Sequence, residues 1–233
     1  AVELVGAGQD PEVVETASKN VRAYALNSIE EKRRHPGEDL ISALVKGRED
    51  DKLTDTELVS MIFLFAVAGH VTSMHTLTNG IYSLLRNPDQ AEILRNDLSL
   101  MPQATDELMR FDGGVGVATF RFTKEPIEVG DVTIPANQIL ALSILGAHRD
   151  PKRYPNPNKL DVTRKGALGV LGFGHGIHFC IGQPLAKIQS EVTFSQLLTR
   201  YPKMRLLREP KDLRWEQSAL LRGLITMPVS PHG

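Results

Sequence analysis

LGFGHGIHFCIGQPLAK, residues 171–187, is the stretch that decides the fold. Its first ten residues hold three glycines, two histidines and the only cysteine of the chain. The glycines remove side chains and permit left-handed backbone, so the loop can lie flat against a large partner. Cys180 stands just before a predicted helix, whose N-terminal amides stabilise a thiolate. A thiolate on such a bare loop is a good metal ligand.

Three other interpretations of this loop stay open when only its own residues are considered. The alternating glycines resemble a dinucleotide-binding loop, although the position of the third glycine does not match GxGxxG. His175, His178 and Cys180 could hold zinc, although a structural zinc site usually needs a fourth ligand. Cys180 could also be a buried, inert cysteine beside a turn, because free cysteine often behaves as a small hydrophobe.

The composition is that of an ordinary globular protein. Of 233 residues, 41% are apolar and 24% are charged, and the net charge of −1 does not favour nucleic acid or an anionic membrane as a partner. One cysteine excludes an internal disulfide and is typical of a reducing cytoplasm, where we expect the protein. The N-terminus lacks the pattern of a signal peptide. The apolar run at residues 61–69 is too short to span a bilayer, so we expect a buried helix there.

A long central helix is predicted to begin at Thr54. Thr54 and Glu57 form a capping-box pattern, in which each side chain bonds the other residue's backbone amide. No helix breaker follows until Asn87, so the helix should run for about thirty residues, or roughly 45 Å. Its middle is apolar nearly all round, which favours a place at the heart of the fold. Shorter helices are predicted at residues 11–32, 39–47, 88–96, 102–111 and 181–200.

The composition of the sequence changes at residues 112–165. This β-rich segment contains short runs typical of β-strands, interrupted by glycine and proline. Residues 128–132 (EVGDV) predict a tight hairpin turn. The tail at residues 201–233 predicts a terminal strand pair. We therefore expect a mainly α fold with small sheets, organised as one domain over residues 1–233. Its predicted parts are a helical segment 1–111, a β-rich segment 112–165, the cysteine loop with its helix 166–200, and a terminal hairpin 201–233.

The cysteine loop resembles the heme-binding loop of the cytochrome P-450 superfamily. The matching residues are Phe173, Gly176, His178, Cys180 and Gly182, and GHGIHFC is most similar to the soluble bacterial members. The resemblance implies the C-terminal part of that fold, a helical core with small β-sheets, and heme b as cofactor.

The same resemblance assigns cofactor-binding residues. It makes Cys180 the thiolate ligand of the heme iron, and it places His178 and Arg121 beside the two heme propionates. Phe173 is expected to pack on the cysteine side of the heme. The remaining cofactor-binding residues that it implies are Gly174, Gly182 and Ala186.

Glu107 and Arg110 match the Glu-x-x-Arg pair of the family. Residues three apart on a helix can interact, but such a pair is usually a solvated surface pair when it is found alone. Its position upstream of the cysteine loop favours the structural role that the family gives it. The resemblance implies a partner in residues 148–157, with Arg153 or a neighbour expected.

Ala68, Gly69 and Thr72 match the family's segment beside the oxygen-binding face of heme. Ala68 and Gly69 would allow close approach to the porphyrin, and Thr72 would help to hold dioxygen and relay protons. The alternative for Thr72 is a hydroxyl bonded back to its own helix. Val71 departs from the family, which commonly has Asp or Glu there, so the usual proton path lacks its carboxylate. His70 and His75 are expected to be surface or packing residues rather than replacements.

The resemblance runs from about residue 10 to the end of the chain, and the family is longer by roughly its first two-fifths. It implies a heme-thiolate monooxygenase that inserts one oxygen from O₂ into a small apolar substrate, in secondary metabolism. Electrons would come from NAD(P)H through a ferredoxin or flavodoxin. The alternative is a shortened homologue, with or without heme, that catalyses another reaction or helps another enzyme. Uncovered apolar surface predicts self-association or a covering partner.

Overall fold

The computed structural model describes residues 10–49, 53–165 and 169–233. Its internal contacts divide the chain into two compact units, Ala1–Thr72 and Ser73–Gly233. Each unit is treated below by itself. The expectation that residues 1–233 form one domain stays a prediction.

Within residues 10–49 and 53–72, the described part of the first unit, three helices lie entirely in this unit: α1 Pro11–Arg34, α2 Leu40–Glu49 and α3 Asp55–Ala68. Helix α1 begins as predicted, because the Asp10 carboxylate accepts the Glu12 amide and proline occupies the first turn. Helix α2 continues past Gly47, where its end was predicted. The buried core of this unit is formed by Ala25, Ile29, Val45, Leu58 and Ile62.

The predicted capping box is present at the start of α3. The Thr54 hydroxyl accepts the Glu57 amide, and the Glu57 carboxylate accepts the Thr54 amide at 2.8 Å. The expected thirty-residue helix, however, is interrupted after Ala68, and a second helix, α4, covers Val71–Arg86. Glycine is the weakest helix former after proline, and the interruption falls at Gly69 and His70.

The apolar stretch Asp55–Arg86 is less buried than we expected. By length and composition it could cross a membrane, a test that the core helix of a soluble protein also passes. Only 22% of its most apolar window is buried, and Leu64 is 54% exposed. The expectation of a fully buried central helix is therefore wrong for the part of the chain that the structure describes.

The described part of the second unit, residues 73–165 and 169–233, holds most of α4 (Val71–Arg86) and four further α-helices. They are α5 Pro88–Asn96, α6 Met101–Asp112, α7 Ile144–Ala147 and α8 Gln183–Arg200. Their core is built by Leu84, Ala91, Leu94, Met101, Ala104, Leu108, Leu160, Val162, Phe194 and Leu198. Helices α4 and α8 approach closely at Gly80, where an added Cβ would overlap the ring of Phe194.

Three two-stranded antiparallel sheets lie within the described residues. Strand β1 (Arg121–Phe122) pairs with β4 (Ile139–Leu140), β2 (Ile127–Val129) with β3 (Val132–Ile134), and β5 (Arg205–Leu206) with β6 (Val229–Ser230). The β2–β3 pair is the predicted EVGDV hairpin, whose turn has Gly130 at φ 58°. The β5–β6 pair is the predicted terminal hairpin. A mainly α fold with small sheets is therefore confirmed.

Candidate functional site

The cysteine loop consists of two short 3₁₀ turns, Leu171–Phe173 and Gly176–His178. Gly174 and Gly176 have φ values of 77° and 76°, in the left-handed region that residues with a Cβ rarely adopt. The Cys180 amide then donates a 2.9 Å hydrogen bond to the carbonyl of Phe173. The glycines thus turn the chain back on itself and fix the backbone of the cysteine.

Cys180 is exposed, so its interpretation as a buried, inert residue is wrong. Its carbonyl accepts the Gln183 amide at 3.2 Å, and Gly182 is the N-cap of α8. Gly182 has no side chain that could cap this terminus, and the partial positive charge of the helix terminus lies next to Cys180 in the sequence. Among the described residues there is no group of three or more His, Cys, Asp or Glu side chains that could hold a metal ion, so the zinc alternative finds no support.

The start of the loop is anchored on helix α6. Met109 and Val170 are buried together, and Phe173 packs against them. An added Cβ at Gly172 would lie 2.6 Å from the Met109 sulfur, so the loop backbone runs directly over that side chain. The Phe173 ring also lies 6.5 Å from the Phe179 ring, centroid to centroid. The first half of the loop is therefore packed.

Exposed apolar side chains surround the cysteine. Ile177 is 97% exposed, and it is followed by a row of apolar side chains that continues along one side of α8. The row consists of Phe179, Ile181, Leu185, Ile188 and Val192. The opposite side of α8 is buried through Ser190, Phe194 and Leu198. Apolar surface of this extent marks a site that binds a ligand or another protein.

The two residues expected to meet propionates are both exposed. All three hydrogen bonds that the structure gives the Arg121 guanidinium run through Nη1: to the carbonyls of Thr119 (2.7 Å) and Phe120 (3.2 Å) and to the Thr119 hydroxyl (2.6 Å). Nε and Nη2 face no hydrogen-bond acceptor within the described ranges. His178 ends the second 3₁₀ turn. Both side chains can reach a carboxylate ligand.

Glu107 and Arg110 form a fully buried, bidentate ion pair on α6. Arg110 Nε and Nη2 donate to the two Glu107 oxygens at 2.6 and 2.8 Å. The remaining Arg110 nitrogen, Nη1, donates to the carbonyls of His148 (2.8 Å) and Pro157 (2.9 Å). The pair thus ties α6 to the predicted segment 148–157.

The second arginine on Glu107 differs from the one expected. We expected Arg153 or a neighbour, but the structure places Arg164 there, with Nε 3.1 Å from Glu107 Oε2. The Arg153 guanidinium lies instead over the ring of Tyr154, 5.2 Å from its centroid. The chain that contacts the pair therefore extends beyond residues 148–157, because Arg164, seven residues after Pro157, also binds Glu107.

Two neighbouring residues of this network were not among the predicted site residues. Arg149 donates to the carbonyls of Pro157 and Phe111, each at 2.6 Å, with its guanidinium over the Phe111 ring. Burial and the nearby Arg110 charge lower its pKa. His148 accepts the Leu171 amide at Nε2. Nothing in the sequence of residues 148–151 (HRDP) shows which of these side chains is buried.

The segment expected on the oxygen side lies in the first unit, at the interruption after α3. The Thr72 hydroxyl donates a 2.5 Å hydrogen bond to the carbonyl of Ala68, so the hydroxyl is bonded back to its own helix. An added Cβ at Gly69 would lie 2.8 Å from the Phe65 carbonyl oxygen. Val71 is 1% exposed and brings no carboxylate.

The two histidines near this segment have different surroundings. His70 is exposed, whereas His75 is buried, with Nε2 3.7 Å from Glu216 Oε2. Neither imidazole nitrogen of His75 has a hydrogen-bond partner among the described residues. Burial lowers the pKa of His75, and the charge of Glu216 partly offsets this. His75 is therefore a packing residue, as expected.

Comparison with known proteins decides the family. The family model named cytochrome P450 matches residues 9–222. The chain belongs to the cytochrome P450 family. Members of this family bind heme b, and the resemblance seen in the cysteine loop is confirmed. Cytochrome P450 107B1 of Saccharopolyspora erythraea is 43% identical over 225 residues, which are 96% of this chain and 55% of that protein.

Two further relatives are also P450 enzymes. Cytochrome P450 monooxygenase PikC of Streptomyces venezuelae is 40% identical, over 94% of this chain and 53% of that protein. The structure of the tirandamycin C-bound P450 monooxygenase TamI superposes with a TM-score of 0.89 at 45% identity, covering 99% of this chain and 57% of that one. The chain therefore has the fold of part of a P450, and it spans about half the length of these relatives.

Proposed function

We propose that this chain carries the heme-binding part of a monooxygenase that inserts one atom of O₂ into a small apolar substrate in secondary metabolism. The observation that carries the proposal is the exposed thiol of Cys180, held on a loop with two left-handed glycines directly before α8. The antibiotic-related names of relatives such as TamI support the metabolic setting.

The residues present fit a heme. The cysteine loop has no Cβ at residues 174 and 176, and an added Cβ at Gly182 would lie 3.8 Å from the Cys180 sulfur, so a flat ring meets little side chain near the thiol. Exposed apolar side chains adjoin it, as a porphyrin requires. In this proposal Cys180 holds the iron, while Arg121 and His178 hold the propionates. Phe173 packs on the cysteine side, beside Gly174, Gly182 and Ala186.

Bound heme would supply the activation of dioxygen and the oxygen transfer. The protein's part begins at Cys180, because a thiolate ligand pushes electron density to the iron and favours O–O cleavage. The partial positive charge at the N-terminus of α8 would stabilise that negative charge. Ala68, Gly69 and Thr72 are proposed for the oxygen side on the resemblance alone. Thr72 is proposed to help to hold dioxygen and relay protons.

The reduced, CO-bound spectrum tests this function. Heme-loaded protein should show the band of a thiolate-ligated heme, and Cys180→Ser should lose it. His175→Ala is the matched control, because it changes an exposed side chain of the same loop to which no role is assigned, and it should keep the band. Purified protein that takes up no heme would refute the proposal.

A second candidate function is a heme-binding homologue that does not oxygenate. Val71 favours it, since the carboxylate expected at that position is absent. Product formation separates the two. If the thiolate band is present but neither hydrogen peroxide nor an electron donor drives product from apolar test substrates, the second function gains.

Partners and location belong to the same proposal. We propose a ferredoxin- or flavodoxin-type donor as the source of electrons, and the cytoplasm as the location, because the single cysteine is typical of a reducing compartment. The row of exposed side chains on α8 supports self-association. Size-exclusion chromatography at low protein concentration tests this, and a clean monomer would count against it.

A further inference from the structure

His148 connects the cysteine loop with the Glu107–Arg110 pair, although the two lie far apart in the sequence. Its backbone carbonyl accepts the 2.8 Å bond from Arg110, and its imidazole Nε2 accepts the amide of Leu171, also at 2.8 Å. The side chain is 1% exposed. We propose that His148 is a positioning residue whose neutral imidazole holds the cysteine loop on the Glu107–Arg110 pair. The inference rests on the proposed function, because it concerns the same loop.

The loop carries this connection from Leu171 to the cysteine in two hydrogen bonds. Leu171 opens the first 3₁₀ turn, and its carbonyl accepts the Gly174 amide at 2.9 Å. Phe173, which ends that turn, accepts the amide of Cys180 at 2.9 Å. A shift of Leu171 would therefore move the backbone of the proposed iron ligand.

The bond requires a neutral imidazole. When Nε2 accepts a hydrogen bond, the ring proton sits on Nδ1, whereas a protonated ring has two donors and no acceptor. Protonation of His148 would thus turn a donor toward the Leu171 amide and break the connection. Below we call the bond from the Leu171 amide to His148 Nε2 the His148 latch.

The surroundings of His148 favour the neutral ring. Burial lowers its pKa to about 4, and the positive charges of Arg110 and Arg149 act in the same direction. The carboxylate of Glu107 raises the pKa slightly. The uncharged Tyr154 ring packs edge-on against the imidazole. Because the folded-state pKa is about 4, most folded molecules keep the latch until the pH approaches 4, where about half have lost it. The contribution of the latch to stability is complete above pH 6.5 and declines as the pH falls toward 4.

Two substitutions separate the latch from general packing. Glutamine at 148 can place its amide oxygen near the position of Nε2 and accept the Leu171 amide, but it does not titrate. Leucine keeps apolar bulk and offers no acceptor. The apolar contacts of Met109 with Val170 and Phe173 do not involve His148, so we expect them to remain in both variants.

The first measurement is hydrogen exchange of the Leu171 amide at pH 7, in the full chain of wild type, His148→Gln and His148→Leu. We expect exchange to be about five- to tenfold faster in His148→Leu, which is the size of one lost hydrogen bond, and close to wild type in His148→Gln. Equal exchange in all three proteins would refute the latch.

The second measurement follows the thiolate-type CO spectrum of heme-loaded protein between pH 7 and pH 4. The wild type should lose this band on acidification, and His148→Gln should keep it to lower pH. Identical acid midpoints in these two proteins would overturn the proposal, even if His148→Leu failed to fold. If the wild type bound no heme, the proposed function would fall, but hydrogen exchange would still decide the His148–Leu171 link.

Discussion

Arg110 donates to both oxygens of the Glu107 carboxylate, and neither side chain has any exposed surface. Arg164 and the Asp161 amide also donate to this carboxylate, at 3.1 and 3.0 Å. A buried ion pair of this kind need not add net stability, because both charges lose their hydration. Removal of Arg110 is costly, since the buried Glu107 carboxylate loses its bidentate partner and keeps only Arg164 and the Asp161 amide.

Arg110→Met should therefore lower the free energy of unfolding by about 3–5 kcal/mol. The matched control is Arg95→Met, because Arg95 also pairs with a glutamate three residues before it, Glu92, but at the surface. That change should cost less than about 1 kcal/mol. Urea denaturation of the two variants measures the difference. Equal losses of unfolding free energy would contradict the larger contribution that we assign to the buried pair.

Gly223 lies so close to His75 that a Cβ on residue 223 would overlap the imidazole ring. We expect Gly223→Ala to lower the free energy of unfolding by roughly 1–3 kcal/mol, the usual cost of overpacking. Gly116→Ala is the control, because its Cβ would meet Leu145 at an ordinary 3.4 Å. Truncation at His75→Ala makes room, so the double variant should be more stable than the sum of the two single losses predicts. Simple additivity, measured by denaturation, would show that the ring is not what opposes the new Cβ.

Burial of His75 predicts a loss of stability in acid. Its folded-state pKa lies below 6.5, so its neutral form stabilises the fold fully above pH 6.5, and this contribution declines as the pH falls. Glu216→Gln removes the charge that raises this pKa and should steepen the decline. His75→Asn, which does not titrate, should show a shallower one. Unfolding midpoints between pH 7 and pH 5, with NMR titration of the imidazole, measure both effects, and equal slopes in the three proteins would refute the assignment.

Thr72→Val tests the oxygen-side residue of the proposed function. The change should lower the amount of product formed per electron consumed by several fold in heme-loaded protein, because the hydroxyl is proposed to relay protons. Thr199→Val is the matched control, since Thr199 also bonds the carbonyl four residues before it, on α8. Both variants should keep nearly wild-type stability. Unchanged product yield in Thr72→Val would remove that residue from the mechanism.

Local chemistry made the cysteine loop and several elements predictable. The capping box at Thr54 and the turn at Gly130 each depend on residues within three or four positions, and both are present as predicted. The turn of the loop at Gly174 and Gly176 follows from the same local freedom. These features need no knowledge of distant contacts, so the sequence alone contains them.

Features that depend on distant contacts could not be predicted in the same way. Arg164 reaches Glu107 across 57 positions, and no local pattern distinguishes it from Arg153. The interruption after Ala68 has only a weak local signal, Gly69, because glycine also occurs inside helices. The exposure of Leu185 on α8 reverses what its apolar character suggests, because exposure depends on which surfaces are available to cover it.

The bond from the Thr72 hydroxyl to Ala68 also fixes what that hydroxyl can offer. A threonine hydroxyl has one proton and two lone pairs, and the Ala68 carbonyl already takes the proton. A molecule that approaches Thr72 therefore meets an acceptor and must bring a hydrogen of its own. In this state Thr72 favours ligands that donate a hydrogen bond. Its hydroxyl can donate to a ligand only after its bond to the Ala68 carbonyl breaks.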